Sequence, residues 1–335
     1  MQTIYFDYEQ IKLKIISKLI FKYVLSHAWN QTAAHLEEVY GAPGRRGAQF
    51  GKYCIKVFTV ILSSETRLKE KRYETGLLWR YDQVQLPHNK EMALKRYLCL
   101  EKKLKRDPAL AAVMNAKMSE YEQKGYIRRL PAAEKAEKLP NDWYLPIFPI
   151  TNPNKPGKIR IVFDAAAKVN GISLNSFLLT GPDQLVSLLM VLYKFREFHV
   201  AVVGDIRVIF FFQVMINSKD QRSQMILWNG GRPSGNPEVY VVAVMTFGAA
   251  CSPSCAHFVK NLNAERFVNQ YPRAVECIKN EHYVDDMLAS VETEEVAVKL
   301  VKEVRFIHSQ GGLRNTELAI EFTQSRRVSA KEYIN

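Results

Sequence analysis

The chain has 335 residues, 47% of them hydrophobic and 24% charged, which is ordinary globular composition and enough for two domains or one large one with subdomains. No run of eighteen apolar residues lacks charges, so a transmembrane helix is not expected. The formal net charge of +13 points to a polyanionic partner, nucleic acid first, with a merely solvated Lys/Arg surface as the plain alternative.

In chain order, the first segment with pattern is "IKLKIISKLIFKYVLS". Its lysines follow Asp7 and Glu9, which makes it a poor signal peptide. Lys14, Lys18 and Lys22 fall on one helical face opposite Ile16, Leu19 and Tyr23, so an amphipathic surface helix is expected. The glycine-rich "YGAPGRRGAQFGKY" reads as a linker. Residues 1–75 carry no recognisable chemistry and form an N-terminal extension of unassigned role.

"NKEMALKRYLCLEKKLKR" has helical spacing and a basic face that includes Lys102, Lys103 and Lys105, candidates for nucleic-acid contact. A second helix follows. Asp107 suits its N-cap, Pro108 its first position and Gly125 its stop. Strands then dominate: "YLPIFPIT" and "KIRIVF" flank the loop "NPNKPGK". A helix is expected over Asp183–Glu197, then a strand buried on both faces in "FHVAVVGD", another in "EVYVVAVM", and a helix opening at Ser252–Pro253. "HYVDDMLAS" reads as a strand pair interrupted by a turn. The final helix, "TEEVAVKLVKEVRFIHSQGG", has acids in its first turn and Gly311 after its end. The order is that of an α+β layer, an antiparallel sheet with helices packed on one face.

The five cysteines (Cys54, Cys99, Cys251, Cys255, Cys277) show no metal-site spacing. They read as reduced, mostly buried thiols of an intracellular protein, in cytoplasm or nucleus.

Chemistry concentrates in acids. Asp205 ends one buried strand, and Asp285 and Asp286 interrupt another. If these strands are sheet neighbours, three carboxylates converge, and they cannot all stay ionised without a cation. Mg²⁺, with Mn²⁺ as a substitute, takes such oxygen ligands together with substrate phosphates. Two such ions about 3.5–4 Å apart would serve an in-line phosphoryl transfer. The plain alternative for Asp285 and Asp286 is a solvent-exposed hairpin turn.

Tyr283-Val284-Asp285-Asp286 resembles the Tyr-x-Asp-Asp box of reverse transcriptases. The blocks "KPGKIRIVFDAAAKVNGISLNSFLLTGPD", "AVVGDI", "FFQV" and "MTFGAACSPSCAHF" lie around it in the matching order. Together they resemble the reverse transcriptase region of BEL/Pao-type LTR retrotransposon Pol polyproteins, over Arg72 to Gly312. The resemblance implies a right-hand polymerase, with fingers-like residues 76–197, a palm over 198–312 and a divergent tail over 313–335. It implies an RNA-directed DNA polymerase acting on dNTP and a primed RNA or DNA template, with no membrane partner.

Asp205, Asp285 and Asp286 would be the catalytic carboxylates, with the backbone carbonyl of Ile206 as a further metal ligand. Phe210 matches the aromatic under the incoming sugar, or is an ordinary core residue. Arg160 matches the fingers arginine on the triphosphate, or is a hairpin cation; Lys158 is a secondary candidate. Phe247 and Gly248 match the pair beside the nascent base pair, although the glycine also suits a strand-to-helix turn.

Three departures stand out. Relatives commonly read Asp-Ile-x-x-Met-Phe-x-Gln-Val, whereas here Gln213 lies one residue further from Asp205. A one-residue slip swaps strand faces unless a bulge absorbs it. Beyond Gly312 the pattern stops, and no Asp-Ser-Gly or Asp-Thr-Gly protease motif precedes it, so a fragment of a larger Pol is expected. The rival reading is a catalytically inactive nucleic-acid-binding remnant.

Overall fold

Val200–Ile206 carries no formal charge until Asp205, so both its faces must be covered by protein. In the computed structural model this segment is the middle strand of a five-stranded sheet. The structure describes residues 59–151, 158–206, 210–230, 236–313, 315–322 and 327–329. The expected N-terminal amphipathic helix, the glycine-rich linker, Cys54 and most of the "NPNKPGK" loop lie outside them.

The described chain forms a mixed α/β protein with small, mostly antiparallel sheets, divided into two compact units built from alternating segments. The first unit takes in Pro182–Phe210 and His257–Asn335. Its sheet runs His282–Tyr283, Asp286–Val291, Val200–Ile206, Asn315–Phe322, Arg327–Ser329, all neighbours antiparallel. Strand periodicity divides the side chains. Val200, Val202, Met287, Ala289 and Val291 join a core with the helices Pro272–Asn280 and Glu294–Gln310. Ala201 and Leu288 point the other way, onto Leu188, Val191 and Phe195. Helices were expected on one face; the short helix Leu188–Lys194 adds cover on the second.

That helix is shorter than the expected Asp183–Glu197. The Asp183 carboxylate accepts from the Leu185 amide (2.8 Å), a local bond that competes with helical pairing. The segment beyond Gly312 supplies the strand on the far side of Val200–Ile206. Thr293 caps the last helix by accepting from the Val296 amide, and Gly311 follows its end.

The second unit comprises Leu62–Gly181 and Phe211–Ala256. It holds the hairpin Ile147–Thr151 with Ile159–Phe163, and a three-stranded sheet in the order Ile127–Arg129, Glu238–Val242, Met225–Trp228. The expected helix pair is present as Lys90–Arg106 and Pro108–Gln123. Asp107 accepts from the Leu110 amide (2.9 Å), Pro108 opens the helix, and Gly125 follows its end at φ +68°. A buried Arg222 ties this unit together. Its guanidinium donates to Asp142 (2.8 and 2.6 Å) and to the carbonyls of Glu134 and Glu137 (2.7 and 2.6 Å). Each of its three nitrogens donates to an oxygen, and a carboxylate balances the charge, which is what burying such a group requires. Among the described residues, no helix is long and apolar enough to cross a membrane.

Candidate metal centre

Register brings the acids together. Asp286 sits directly opposite Asp205, and the Ile206 amide donates to the Asp285 carbonyl (2.9 Å). Asp205 has the parity of Ala201 and Val203, and Asp286 that of Leu288, so both point to the face that carries Leu188–Lys194. Asp285 occupies the turn between Tyr283 and Asp286. One carboxylate oxygen from each of the three lies within 4.8 Å of the other two. Asp205 and Asp285 are half-buried and Asp286 is buried.

The hairpin turn has two central residues, Val284 and Asp285, between the paired Tyr283 and Asp286. Val284 takes φ +59°. Only the first central residue has positive φ, the pattern of a type II′ turn, which favours glycine there. A β-branched residue in this region is strained by about 1–3 kcal/mol. Val284→Gly is therefore expected to raise stability by about 1 kcal/mol, the relief exceeding glycine's own entropic cost. Urea unfolding of the two proteins checks this, and a clear loss of stability would show the turn to be relaxed.

The donor set suits a hard divalent cation. It is all oxygen, comes from three carboxylates, and opposes two of them across one strand pair.

Many solved structures are similar to this chain, and two illustrate the likeness. One is the foamy viral protease-reverse transcriptase dRH in complex with ds DNA, at 17% identity and TM-score 0.47, with 82% of this chain and 40% of that chain covered. The other is the foamy viral protease-reverse transcriptase in complex with RNA/DNA hybrid, at 15% identity and TM-score 0.46, with 82% and 31% covered. The chain thus spans less than half the length of either. No protein-family model and no curated protein matches.

The remaining candidates are distributed over the second unit, except Phe210. Arg160 is exposed on its hairpin, opposite Ile150, and Lys158 is exposed just before the strand. Phe247 is 45% exposed at the turn before Ser252–Glu265. Gly248 is held by its surroundings: a Cβ there would lie 1.9 Å from the Phe163 carbonyl oxygen. Its own carbonyl accepts from Asn175 Nδ2 (2.9 Å), whose Oδ1 accepts from the Ala250 amide (2.9 Å). Close backbone approach is thus a structural need at this position. Gly248→Ala is expected to cost about 3 kcal/mol, read by denaturant midpoint. A cost below 0.5 kcal/mol, roughly the surface-substitution range, would mean that the turn yields freely.

Phe210 opens a single 3-10 turn, Phe210–Gln213, where a continued or bulged strand was expected; its side chain lies outside the described residues. Phe212 is fully buried against Tyr121, Tyr126 and Phe163, with ring centroids 5.3, 5.4 and 5.9 Å away. Among the nucleic-acid candidates, Lys102 and Lys103 are exposed, whereas Lys105 pairs with Glu101 (3.2 Å).

Sequence reasoning missed a buried basic cluster behind the acidic hairpin. Lys260 is 2% exposed and donates to the Ile278 carbonyl (2.8 Å). His282, next to Tyr283, bonds through Nδ1 with the Cys277 carbonyl (3.0 Å). Both bonds end on the last turn of Pro272–Asn280, where the Cys277 carbonyl also accepts from the Glu281 amide (2.9 Å). The available signal was Lys260 inside the apolar face of "SPSCAHFVKNLNAERF". The described cysteines are free; Cys251, Cys255 and Cys277 are buried and Cys99 is exposed.

Proposed function

We propose that this chain is the nucleotidyl-transfer region of an RNA-directed DNA polymerase of the BEL/Pao retrotransposon type. The observation that carries the reading is the cluster of Asp205, Asp285 and Asp286, drawn from two neighbouring strands and the turn before one of them to within 4.8 Å at their ligating oxygens. The ordered blocks around Tyr283-Val284-Asp285-Asp286 support it.

In this reading Asp205, Asp285 and Asp286 hold Mg²⁺ or Mn²⁺, with the Ile206 carbonyl as a further ligand. Bound there, the cations would lower the pKa of the attacking primer 3′-hydroxyl and neutralise charge on the phosphates. The chain's own contribution is placement. The cross-strand register sets the Asp205 and Asp286 carboxylates, and the Val284 turn sets Asp285. Arg160 and Lys158 would meet triphosphate oxygens, and Phe210, Phe247 and Gly248 would bound the dNTP sugar and base. Residues 76–197 would act as fingers and 198–312 as palm.

The test is primer extension on RNA and DNA templates by the purified chain. Short, distributive products that require Mg²⁺ or Mn²⁺ are expected, and Asp285→Asn should remove them. Extension that persists in Asp285→Asn would sink the assignment. Nucleic-acid binding without extension under any ion would favour the inactive remnant; the displaced Gln213 and the 3-10 turn after Asp205 are the features that favour it.

A further inference from the structure

The helix Lys90–Arg106 buries Ala93, Tyr97 and Leu100 on one side. On the other side Lys95, Arg96, Lys102, Lys103 and Arg106 are exposed, and none has an ion-pair partner among the described residues. At 100° per residue these five fall within an arc of about 120°, and along the axis they extend about 16 Å. Other cations of this unit are spent differently: Lys69, Lys105, Lys117, Lys124, Arg128, Arg129 and Arg222 each meet a carboxylate. Five adjacent, unpaired positive side chains repel one another, which is costly unless an anion lies along them.

The stripe starts at a cavity of about 530 Å³. His88, Lys95, Arg96 and Cys99 line it with Met92 and Val169, and Glu91 is its sole acid. Its walls are fixed. Asn89, 2% exposed, is pinned to Tyr144 by two bonds, donating to its carbonyl (2.8 Å) and accepting from its amide (2.9 Å). Opposite, Val169 and Ile172 exchange amide–carbonyl bonds (2.8 and 3.0 Å) around Asn170 and Gly171, both at positive φ. That is a tight two-residue turn with favoured residues. A preformed cavity with an apolar side and cations at its rim suits an unstacked nucleotide, whose base and phosphate have the same division of character. A duplex offers phosphates to the stripe but no free base to the cavity.

We propose that the cavity and stripe form a track for single-stranded nucleic acid, phosphates on Lys95, Arg96, Lys102, Lys103 and Arg106 and one nucleotide seated against Met92 and Val169. This rests on the nucleic-acid reading above and adds a strand site distinct from the carboxylate cluster.

The test is binding of a fluorescent single-stranded oligonucleotide, as DNA and as RNA, to the full chain in EDTA across a salt series. Lys95→Glu/Arg96→Glu is compared with Lys135→Glu/Lys138→Glu, which makes the same change of net charge elsewhere on the unit. The first pair should weaken binding at least 10-fold and lower the log–log salt slope by about 1.4, at roughly 0.7 per single-strand phosphate. The control pair should change both much less. In parallel, Cys99 in the cavity wall should react more slowly with a maleimide when the oligonucleotide is bound, measured as site-specific labelling by peptide mass.

Equal losses in the two variants, or Cys99 labelling unaffected by saturating oligonucleotide, would overturn the track. So would tighter binding of duplex, or protection by heparin or anionic vesicles but not by oligonucleotide. Because EDTA and the Asp285→Asn background leave this assay intact, its result is separable from that of primer extension. Extension without the charge-pair effect removes the track alone; the effect without extension removes the catalytic reading alone.

Discussion

Asp286→Asn is expected to make the metal-free protein more stable while removing both its stabilisation by divalent ions and its primer extension. Asp286 and Asp205 face each other across one strand pair, with Asp285 in the adjoining turn. Like charges directly opposed on a sheet are destabilising, by up to about 1 kcal/mol per pair in exposed sites. Asp286 is 8% exposed, so solvent screens its part of the repulsion only weakly. Asparagine keeps the shape and removes the charge. In EDTA the variant should unfold about 1 kcal/mol later than the parent. With Mg²⁺ or Mn²⁺ at about 100 times its dissociation constant, the parent should gain about 2.7 kcal/mol by linkage, and the variant far less. The measurement is thermal unfolding of both proteins in chelator and along a metal titration. A variant that is less stable in EDTA and still gains fully from the ion would show that these carboxylates serve the fold alone.

Stability should also fall steeply on acidification, through the basic cluster behind the hairpin. Burial holds His257 down to about 3, with the nearby Lys260 charge adding to it. Burial likewise lowers His282 well below the usual imidazole range, again helped by Lys260. Lys260 itself is lowered to about 7 by burial, opposed by the neighbouring Cys277 thiol. All three are bases with folded pKa values below their unfolded ones, so the unfolded chain binds more protons in each interval. The His257 contribution is complete above about 6.5, the unfolded value, and is lost as pH falls toward about 3; that of His282 is lost in the same direction, as pH falls below the unfolded value. The lysine's contribution is complete above about 10.5 and is lost as pH falls to about 7. Each group adds a slope of about 1.4 kcal/mol per pH unit inside its window.

Lys260→Met isolates the upper window. It removes the buried ammonium and leaves the Ile278 carbonyl without that donor. The parent should gain up to about 5 kcal/mol between pH 7 and 10.5 from this group, and the variant should lack that gain. The variant should therefore be the more stable at pH 6 and lose its advantage toward pH 10. Chemical denaturation at four or five pH values measures this. Parallel pH profiles for parent and variant would mean that the Lys260 ammonium is solvated as well in the folded state as in the unfolded one.

Much of the scaffold was legible because its causes are local. Asp107 with Pro108, and the first-turn acids Glu294 and Glu295 with Gly311, mark helix ends through interactions that span only a few residues. Period-two and continuous apolar runs mark Ile147–Thr151, Val200–Ile206 and Glu238–Val242 as strands, since burial on a pleat acts residue by residue. The pair Asp285–Asp286 inside an apolar hairpin was visible for the same reason, and so was the suspicion that Asp205 belongs with it.

Tertiary structure decided what depends on partners far along the chain. The register that places Asp286 opposite Asp205, rather than one residue off and on the other face, is set by the packing of Val200, Val202, Met287 and Ala289 against two helices. Whether Asn315–Phe322 continues the sheet was equally unreadable, because a strand's neighbour is chosen by the edge available to it. The burial of Lys260 has no local signal of its own magnitude. A lysine in a helix normally reaches solvent, and only the surrounding helices and the Ile278 carbonyl turn it inward. Local propensity acts over a turn or a pleat, while register, strand neighbours and the burial of charge are settled by contacts that form only when distant segments close over one another.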